Sequence, residues 1–427
     1  MRDAVERFIA VNREYAKRNH EVMRMKIDRM AESAFAFFRG SFHLFAEDVV
    51  TGQVVALPPA IDTPAELDLV GDIHSENYGT YKAADGAIHY DVNDFDETTQ
   101  GRFAFDVCRF AANVVLAAQT QAIPLEAQAE AVLSSLESYC FVIRSGLKKG
   151  RFSDLAYSES TPRDCADIMQ LIKQVAEVKR TKFISETTDD VGGERQIKRS
   201  LQKYYNLSEV ETAQVIRLVA DLQKQWIDRD LPKRFFDLHD ICGRISGIGS
   251  MGRHRYVALV SGKGHAEKKN VLLEFKESRP SAYDAARGRT TTASALLTRA
   301  ENVIACQRQS QAAPSPYLGA TVDGAMSFQV REISPHAERI DWKKLKSPNQ
   351  FIEVMRAHGA ILGRIHLRSS MRYQGPVNPL PELDNIERFR QRVLAFALTY
   401  SDVAWRDWQR FRSALGDLKK VETWVTA

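Results

Sequence analysis

Cysteine is scarce in this chain and poorly spaced for metal or disulfide chemistry. The five cysteines, Cys108, Cys140, Cys165, Cys242 and Cys306, are odd in number and far apart, with no CxxC pair. That excludes a zinc ribbon and a disulfide-stapled scaffold, and it points to a reducing compartment. No apolar run approaches the roughly 18 residues that a bilayer span needs, so no membrane span is expected. The first residues are charged from Arg2 onward and lack the apolar core of a signal peptide, so a cytoplasmic setting is expected. Charge of one sign is not in excess either. The 59 Lys plus Arg against 55 Asp plus Glu leave a formal +4. So weak a basic excess does not call for nucleic acid, whose binders usually carry a concentrated patch, and specific nucleic-acid binding is not expected. Repeats, heptad arrays and biased tails are also missing.

What remains is an ordinary globular composition, 44% hydrophobic and 27% charged over 427 residues. A chain of this length can bury a large core and form two or three domains at roughly 150 residues each. Apolar spacing predicts one long helix over Asp3–Ala31, followed by an aromatic anchor at Phe35, Phe37 and Phe38. Pro58, Pro59 and Pro64 mark an irregular connector. Leu69 and Val70 then run into Gly71-Asp72, and Ile88, Tyr90 and Val92 alternate as a strand after a tight turn at Asp85-Gly86. Helices are predicted over Phe103–Ala118, Leu125–Leu147, Cys165–Val178, Leu207–Trp226, Ala293–Gln311, Ile352–His366 and Ile386–Leu415. Thr187–Glu194 reads as a polar loop, and Phe235–Phe275 as strands broken by glycines. The fold class is α+β, with a short mixed part set in a mostly helical chain.

Two segments hold residues of chemical interest. The first is acidic: Asp72, His74, Glu76, Asn77, Asp91, Asp94, Asp96 and Glu97. Gathering these carboxylates is costly unless cations compensate. Oxygen donors of this kind suit magnesium, particularly when phosphates complete its shell. A solvated loop and a hydrolytic metal site using His74 are the alternatives, and His74 also fits a structural, hydrogen-bonded role. The second segment is Gly247-Ile248-Gly249-Ser250-Met251-Gly252. It matches GxGxxG by letters, but a strand rather than a helix follows it. That order suits a hairpin flap over nucleotide phosphates better than a dinucleotide fold. A plain Gly-rich hairpin is the simpler alternative. Lys276 follows Val271, Leu272, Leu273, Glu274 and Phe275, an apparent strand, and a lysine near the end of a buried strand calls for an anionic partner. ATP phosphates would serve, with Glu301, or else Glu277, holding the ammonium. Arg234, Arg244, Arg253 and Arg255 fit a solvated surface better than an anion site.

With these motifs in hand, the chain resembles the DUF2252 family of bacterial proteins over most of its length. The resemblance is carried by Phe38-Arg39-Gly40, the run from Gly71 to Gly79, Asp91 to Glu97, Phe105-Asp106-Val107-Cys108-Arg109, Gly247 to Gly252, Phe275-Lys276-Glu277 and Gln307-Arg308. Ile248, Met251 and Ser278 depart from the family pattern. The family in turn resembles the aminoglycoside-phosphotransferase branch of the protein-kinase-like fold. That resemblance implies a catalytic aspartate at Asp72 and metal ligands at Asn77 and Asp94, with Asp96 in the glycine position of an Asp-Phe-Gly motif. It implies a catalytic-loop buttress at Asp106. Val70 stands two residues before Asp72, where the branch carries histidine.

The glycine segment and Lys276 come after the catalytic segment, the reverse of an ordinary kinase. Gly359, Leu362, Gly363, Arg364, Ile365 and His366 resemble the end of the helix that leads into a catalytic loop. The resemblance therefore implies a circularly permuted two-lobed fold with extra helices. Residues 1–230 would form the helical catalytic portion, 231–340 the nucleotide-binding lobe and 341–427 the helices completing the catalytic lobe. The implied activity is ATP- and magnesium-dependent phosphoryl transfer to an unknown hydroxyl of a small molecule or protein. Asp72, His74 and Lys276 would be catalytic, Gly247, Gly249, Ser250, Gly252, Lys276 and Glu301 would hold nucleotide, and Asn77, Asp94 and Asp96 would hold metal. Nucleotidyl transfer, a catalytically inactive nucleotide-binding protein and a metal-dependent phosphohydrolase using Asp72, His74, Asp94 and Asp96 stand as alternatives.

Overall fold

The strand Arg255–Val260 is buried on both faces, which its sequence explains by period-two alternation. Tyr256, Ala258 and Val260 face a core made with Val215, Leu218, Leu222 and Trp226. Val257 and Leu259 face a second cluster with Ile184, Ile197, Tyr204 and Cys242. In this computed structural model, which describes residues 3–59, 61, 66–149, 156–159, 165–200, 203–263, 270–289, 292–372 and 385–426, that strand lies inside a six-stranded sheet. The order is Gly319–Asp323, Met326–Glu332, Val271–Ser278, Arg255–Val260, Leu238–Arg244 and Tyr204–Tyr205, antiparallel throughout. The helix Ala293–Ser310 connects the strand Val271–Ser278 to the strand Gly319–Asp323 and packs on the sheet.

The larger core is helical. Phe103–Thr120 is buried almost all round from Phe103 to Ala118, because Leu125–Lys149, Pro348–Arg372 and Ile386–Ser413 pack around it. The two ends of the chain also share a core: Phe8 and Phe37 meet Phe411 edge-on or tilted, and Trp424 closes on Phe8. Small sheets carry the acidic segment. Tyr78–Lys82 pairs with Ile88–Val92, and Glu66–Leu69 pairs with Thr99–Arg102. The architecture is thus α+β. Among the described residues, no helix is long and apolar enough to cross a membrane.

Three local expectations are corrected. The long N-terminal helix is two helices, Ala4–Arg18 and His20–Ala31. Asn19 is extended, ends the first and caps the second by accepting from the Val22 amide. Thr187–Glu194 is not a loop but mostly a hairpin, Thr188–Val191 with Glu194–Ile197. Gly192 and Gly193 supply positive φ at its turn. Its polar, exposed residues hide the strand alternation. The arginines Arg244, Arg253 and Arg255 do not form a solvated surface, since each is paired with a carboxylate that has little or no exposure. Pro64 lies outside the described residues.

Helix Pro348–Arg372 touches Leu125–Lys149 through glycines. A Cβ on Gly359 would lie 2.0 Å from the Ser135 carbonyl oxygen, and one on Gly363 would lie 2.8 Å from the Tyr139 oxygen. Both obstacles are backbone and cannot rotate away. Gly359→Ala is therefore expected to destabilise the protein by about 3 kcal/mol, the upper end for overpacking, as read by urea unfolding. A change below about 0.5 kcal/mol would show that the helices separate freely.

Candidate functional site

The acidic loops are built on backbone supports. Asp106 accepts from the Val70 amide at 2.8 Å and the Gly71 amide at 3.0 Å. Gly71 has φ +91°, and a Cβ there would sit 2.2 Å from the Glu97 carbonyl oxygen. Only glycine suits that position. The chain then turns so that Asp72 faces Arg109. The Arg109 Nε and Nη2 donate to one Asp72 oxygen at 3.0 and 2.6 Å. The guanidinium of Arg109 lies over the Phe38 ring, 3.4 Å from its centroid, with Phe42 and Phe45 each 5.1 Å away. Of the predicted aromatic anchor, Phe38 thus has a specific use, holding with Phe42 and Phe45 the cation that holds Asp72, while Phe37 packs on Phe411. Burial pushes the Asp72 carboxyl up to about 6, with Arg109 opposing the shift.

Asn77 donates through its amide nitrogen to the Asp72 backbone oxygen at 2.6 Å. Its side-chain oxygen remains the acceptor. His74 is buried and its Nε2 accepts from Arg39 at 3.5 Å. Burial first, and then the charges of Arg39, Arg109 and Arg339, hold it well below the ordinary histidine range. It is neutral at pH 7 and its Nδ1 is buried without a hydrogen-bond partner.

The second segment meets the first in space. Leu238–Arg244 and Arg255–Val260 are antiparallel neighbours, and Gly247 to Gly252 lie in the connection between them. The backbone of Gly249 lies against the acidic loop: a Cβ there would be 4.0 Å from an Asp72 carboxylate oxygen and 3.4 Å from the Arg39 carbonyl. Arg253, just past the glycines, binds Glu97 at 2.8 Å. Lys276 is 2% exposed and reaches across to Asp94 at 3.4 Å and to Asp96. Asp94 is 182 residues away in sequence. Burial alone would raise Asp94, but Lys276, Arg331 and Arg255 outweigh it and hold the carboxyl well below its usual range. Burial lowers the Lys276 ammonium, while the two aspartates oppose that shift.

Asp72, His74, Asn77, Asp94, Asp96, Gly247, Gly249 and Ser250 line one cavity of about 530 Å³. Gly252 faces a neighbouring hollow that Ser250 and Arg253 also line. Lys276 sits behind Asp94 and Asp96. The expected Lys276–Glu301 pair is not formed. Glu301 is exposed, because the inward stripe of helix Ala293–Ser310 runs through Arg299, Ala300, Val303, Ile304 and Gln307. Glu277 does not replace it; it binds Arg18 and Arg279 and accepts from the His254 amide. Asp91 also leaves the group, buried against Arg364.

Sequence reasoning gave no role to Arg109 and did not single out Lys26 or Arg39. A signal existed for the first: Asp106 and Arg109 lie three residues apart and share one helix face. It also missed Glu274. That residue lies two positions before Lys276 on the same strand face, is fully buried, and is bound by Arg244, Arg255 and Arg331. These cations outweigh burial and keep Glu274 well below the ordinary glutamate range.

Among the described residues, no three His, Cys, Asp or Glu are grouped to hold a metal. The oxygen donors facing the cavity fit magnesium bound by one or two protein groups and by phosphate oxygens. The family described as "Uncharacterized protein conserved in bacteria (DUF2252)" matches residues 18–414, and the chain belongs to it. No curated protein and no solved structure matches.

Proposed function

We propose, for this DUF2252 member, an ATP- and magnesium-dependent phosphotransferase acting on a hydroxyl acceptor, on a circularly permuted protein-kinase-like fold. One observation carries the reading. Lys276 and Asp94 touch across 182 residues, beside a glycine segment that lies on Asp72. In kinases the phosphate-binding lysine stands on the third strand counted from the glycine hairpin, and the metal aspartate faces it. Here Lys276 is on the third strand counted from Leu238–Arg244.

Two further contacts support the permutation. Ser369, near the end of helix Pro348–Arg372, accepts from the Asp68 amide at 2.6 Å, just ahead of the catalytic segment. His366 on the same helix lies 3.3 Å from Asp106, the residue that holds the Val70 and Gly71 amides. In this reading His366 takes in space the place of the histidine missing before Gly71-Asp72.

Asp72 orients the acceptor hydroxyl and takes its proton as the oxygen attacks the terminal phosphorus, and ADP leaves. Arg109 fixes the carboxylate in one rotamer. Asn77 and Asp94 would hold magnesium, which supplies charge neutralisation of the phosphoryl oxygens. Lys276 keeps Asp94 and Asp96 in place and adds positive charge beside the phosphates. The glycine segment brings backbone close to them without side chains. These are positioning and electrostatic effects, the main terms in phosphoryl transfer. A phosphate-borne metal needs fewer protein ligands than a two-metal hydrolase site.

The test is release or transfer of labelled γ-phosphate across metabolite and protein pools. A base at about 6 is mostly neutral below that pH and charged above it. The rate is therefore expected to rise through pH 6 and level off near neutrality. A rate that falls across this range would remove Asp72 as the proton acceptor.

A further inference from the structure

We propose that Lys26 is an anion subsite of the cavity, taking phosphoryl oxygens from the nucleotide's terminal phosphate or from a phosphorylated acceptor. Only the identity of the phosphate's carrier rests on the phosphotransferase reading. The argument begins with charge pairing. The cavity is lined by six cationic side chains: Arg7, Lys26, Arg39, Arg253, Arg279 and Arg339. Five have carboxylate partners: Glu47 for Arg7, Glu76 for Arg39 and Arg339, Glu97 for Arg253, and Glu277 for Arg279. Among the described residues Lys26 has none, although it is only 3% exposed. A buried cation without a counter-ion is costly, so a site of this kind calls for an anion from outside.

The geometry aims that charge. Lys26 donates to Asn12 Oδ1 at 2.8 Å and to the Gly249 carbonyl at 3.2 Å. Asn12 is itself fixed by its donation to the Phe8 carbonyl at 2.8 Å. An ammonium has three donors, so one is left for the cavity. Gly249 is close to both Lys26 and the Asp72 carboxylate, and all three line the same cavity. Burial, helped by Arg253 and opposed by Glu97, lowers the ammonium to about 7. Glu97 is held by Arg253 and the Ala282 amide and makes no ion pair with Lys26.

The experiment titrates inorganic phosphate, pyrophosphate and magnesium-ATP into wild type, Lys26→Met and Lys26→Gln by calorimetry, with thermal unfolding of each. The glutamine keeps a donor for Gly249 but loses the charge, so it tests the site if the methionine variant fails to fold. Wild type is expected to bind phosphate or pyrophosphate, and loss of the charge to weaken this by about tenfold to a hundredfold, with Tm unchanged or raised. If magnesium-ATP affinity falls in parallel, the carrier is the nucleotide. If it is unchanged, the carrier is the acceptor. Phosphate binding that needs Lys26 in a protein with no ATP affinity would overturn the phosphotransferase reading and leave the subsite standing. Absence of phosphate and pyrophosphate binding by wild type, or equal binding by Lys26→Gln, would overturn the subsite.

Discussion

Asp72→Asn is expected to keep the fold at a cost in stability, because it removes the carboxylate paired with the buried Arg109, and to keep magnesium-ATP binding while losing phosphoryl transfer by about 10²- to 10⁴-fold, the range for removing a general base. The asparagine preserves an acceptor oxygen for Arg109, which still has the Phe38 carbonyl and ring to hold it. What disappears is the negative charge and, in the proposed mechanism, the site for the acceptor's proton. Binding is spared because Asp72 is not assigned to phosphate or metal. The measurement is a turnover rate at saturating nucleotide beside a calorimetric affinity. Equal rates in the two proteins would remove Asp72 from catalysis.

Lys276→Met is expected to act mainly on stability, lowering it by about 3–5 kcal/mol, because it leaves two carboxylates close together without their buried cation. The pH dependence has a definite sign. The folded-state carboxyl of Asp94 is depressed, so it contributes stability above the unfolded carboxylate range, and that contribution is lost as pH falls toward the folded value. Removing the ammonium raises that carboxyl and removes most of the contribution. The gap between wild type and variant is therefore widest near neutral pH and narrows as the pH falls through the ordinary carboxylate range. Urea unfolding at several pH values measures it. A variant as stable as wild type at pH 7 would mean that Arg331 and Arg255 suffice to hold the aspartates.

Most of the helices were legible in the sequence because one-sided apolar spacing is a local signal, as in Leu125–Lys149 and Ile386–Ser413. The break at Asn19 was less visible, since both flanking helices continue the same apolar rhythm and only the cap marks the end. The Thr188–Ile197 hairpin was hidden by polar residues on both faces. At the candidate site, Asp72, Asn77 and Asp94 were readable as motif positions, and their convergence with the glycine segment followed from treating both as parts of one phosphate site. The partners of the buried charges were not readable. Lys276 chose Asp94 and Asp96 over Glu301 because helix phase, not sequence distance, decides which side chains point inward. Arg109 and Lys26 were overlooked for a related reason. Their importance depends on which other charges already have partners, and only the assembled structure shows that.

The measurement closest to the central claim is calorimetric binding of ATP with and without magnesium, to wild type and to Asp94→Asn. The claim is that two distant segments make one magnesium–nucleotide site. It predicts that magnesium tightens ATP binding to wild type, and that this gain is lost in Asp94→Asn. Equal affinity with and without magnesium, or the same magnesium gain in Asp94→Asn, would contradict it.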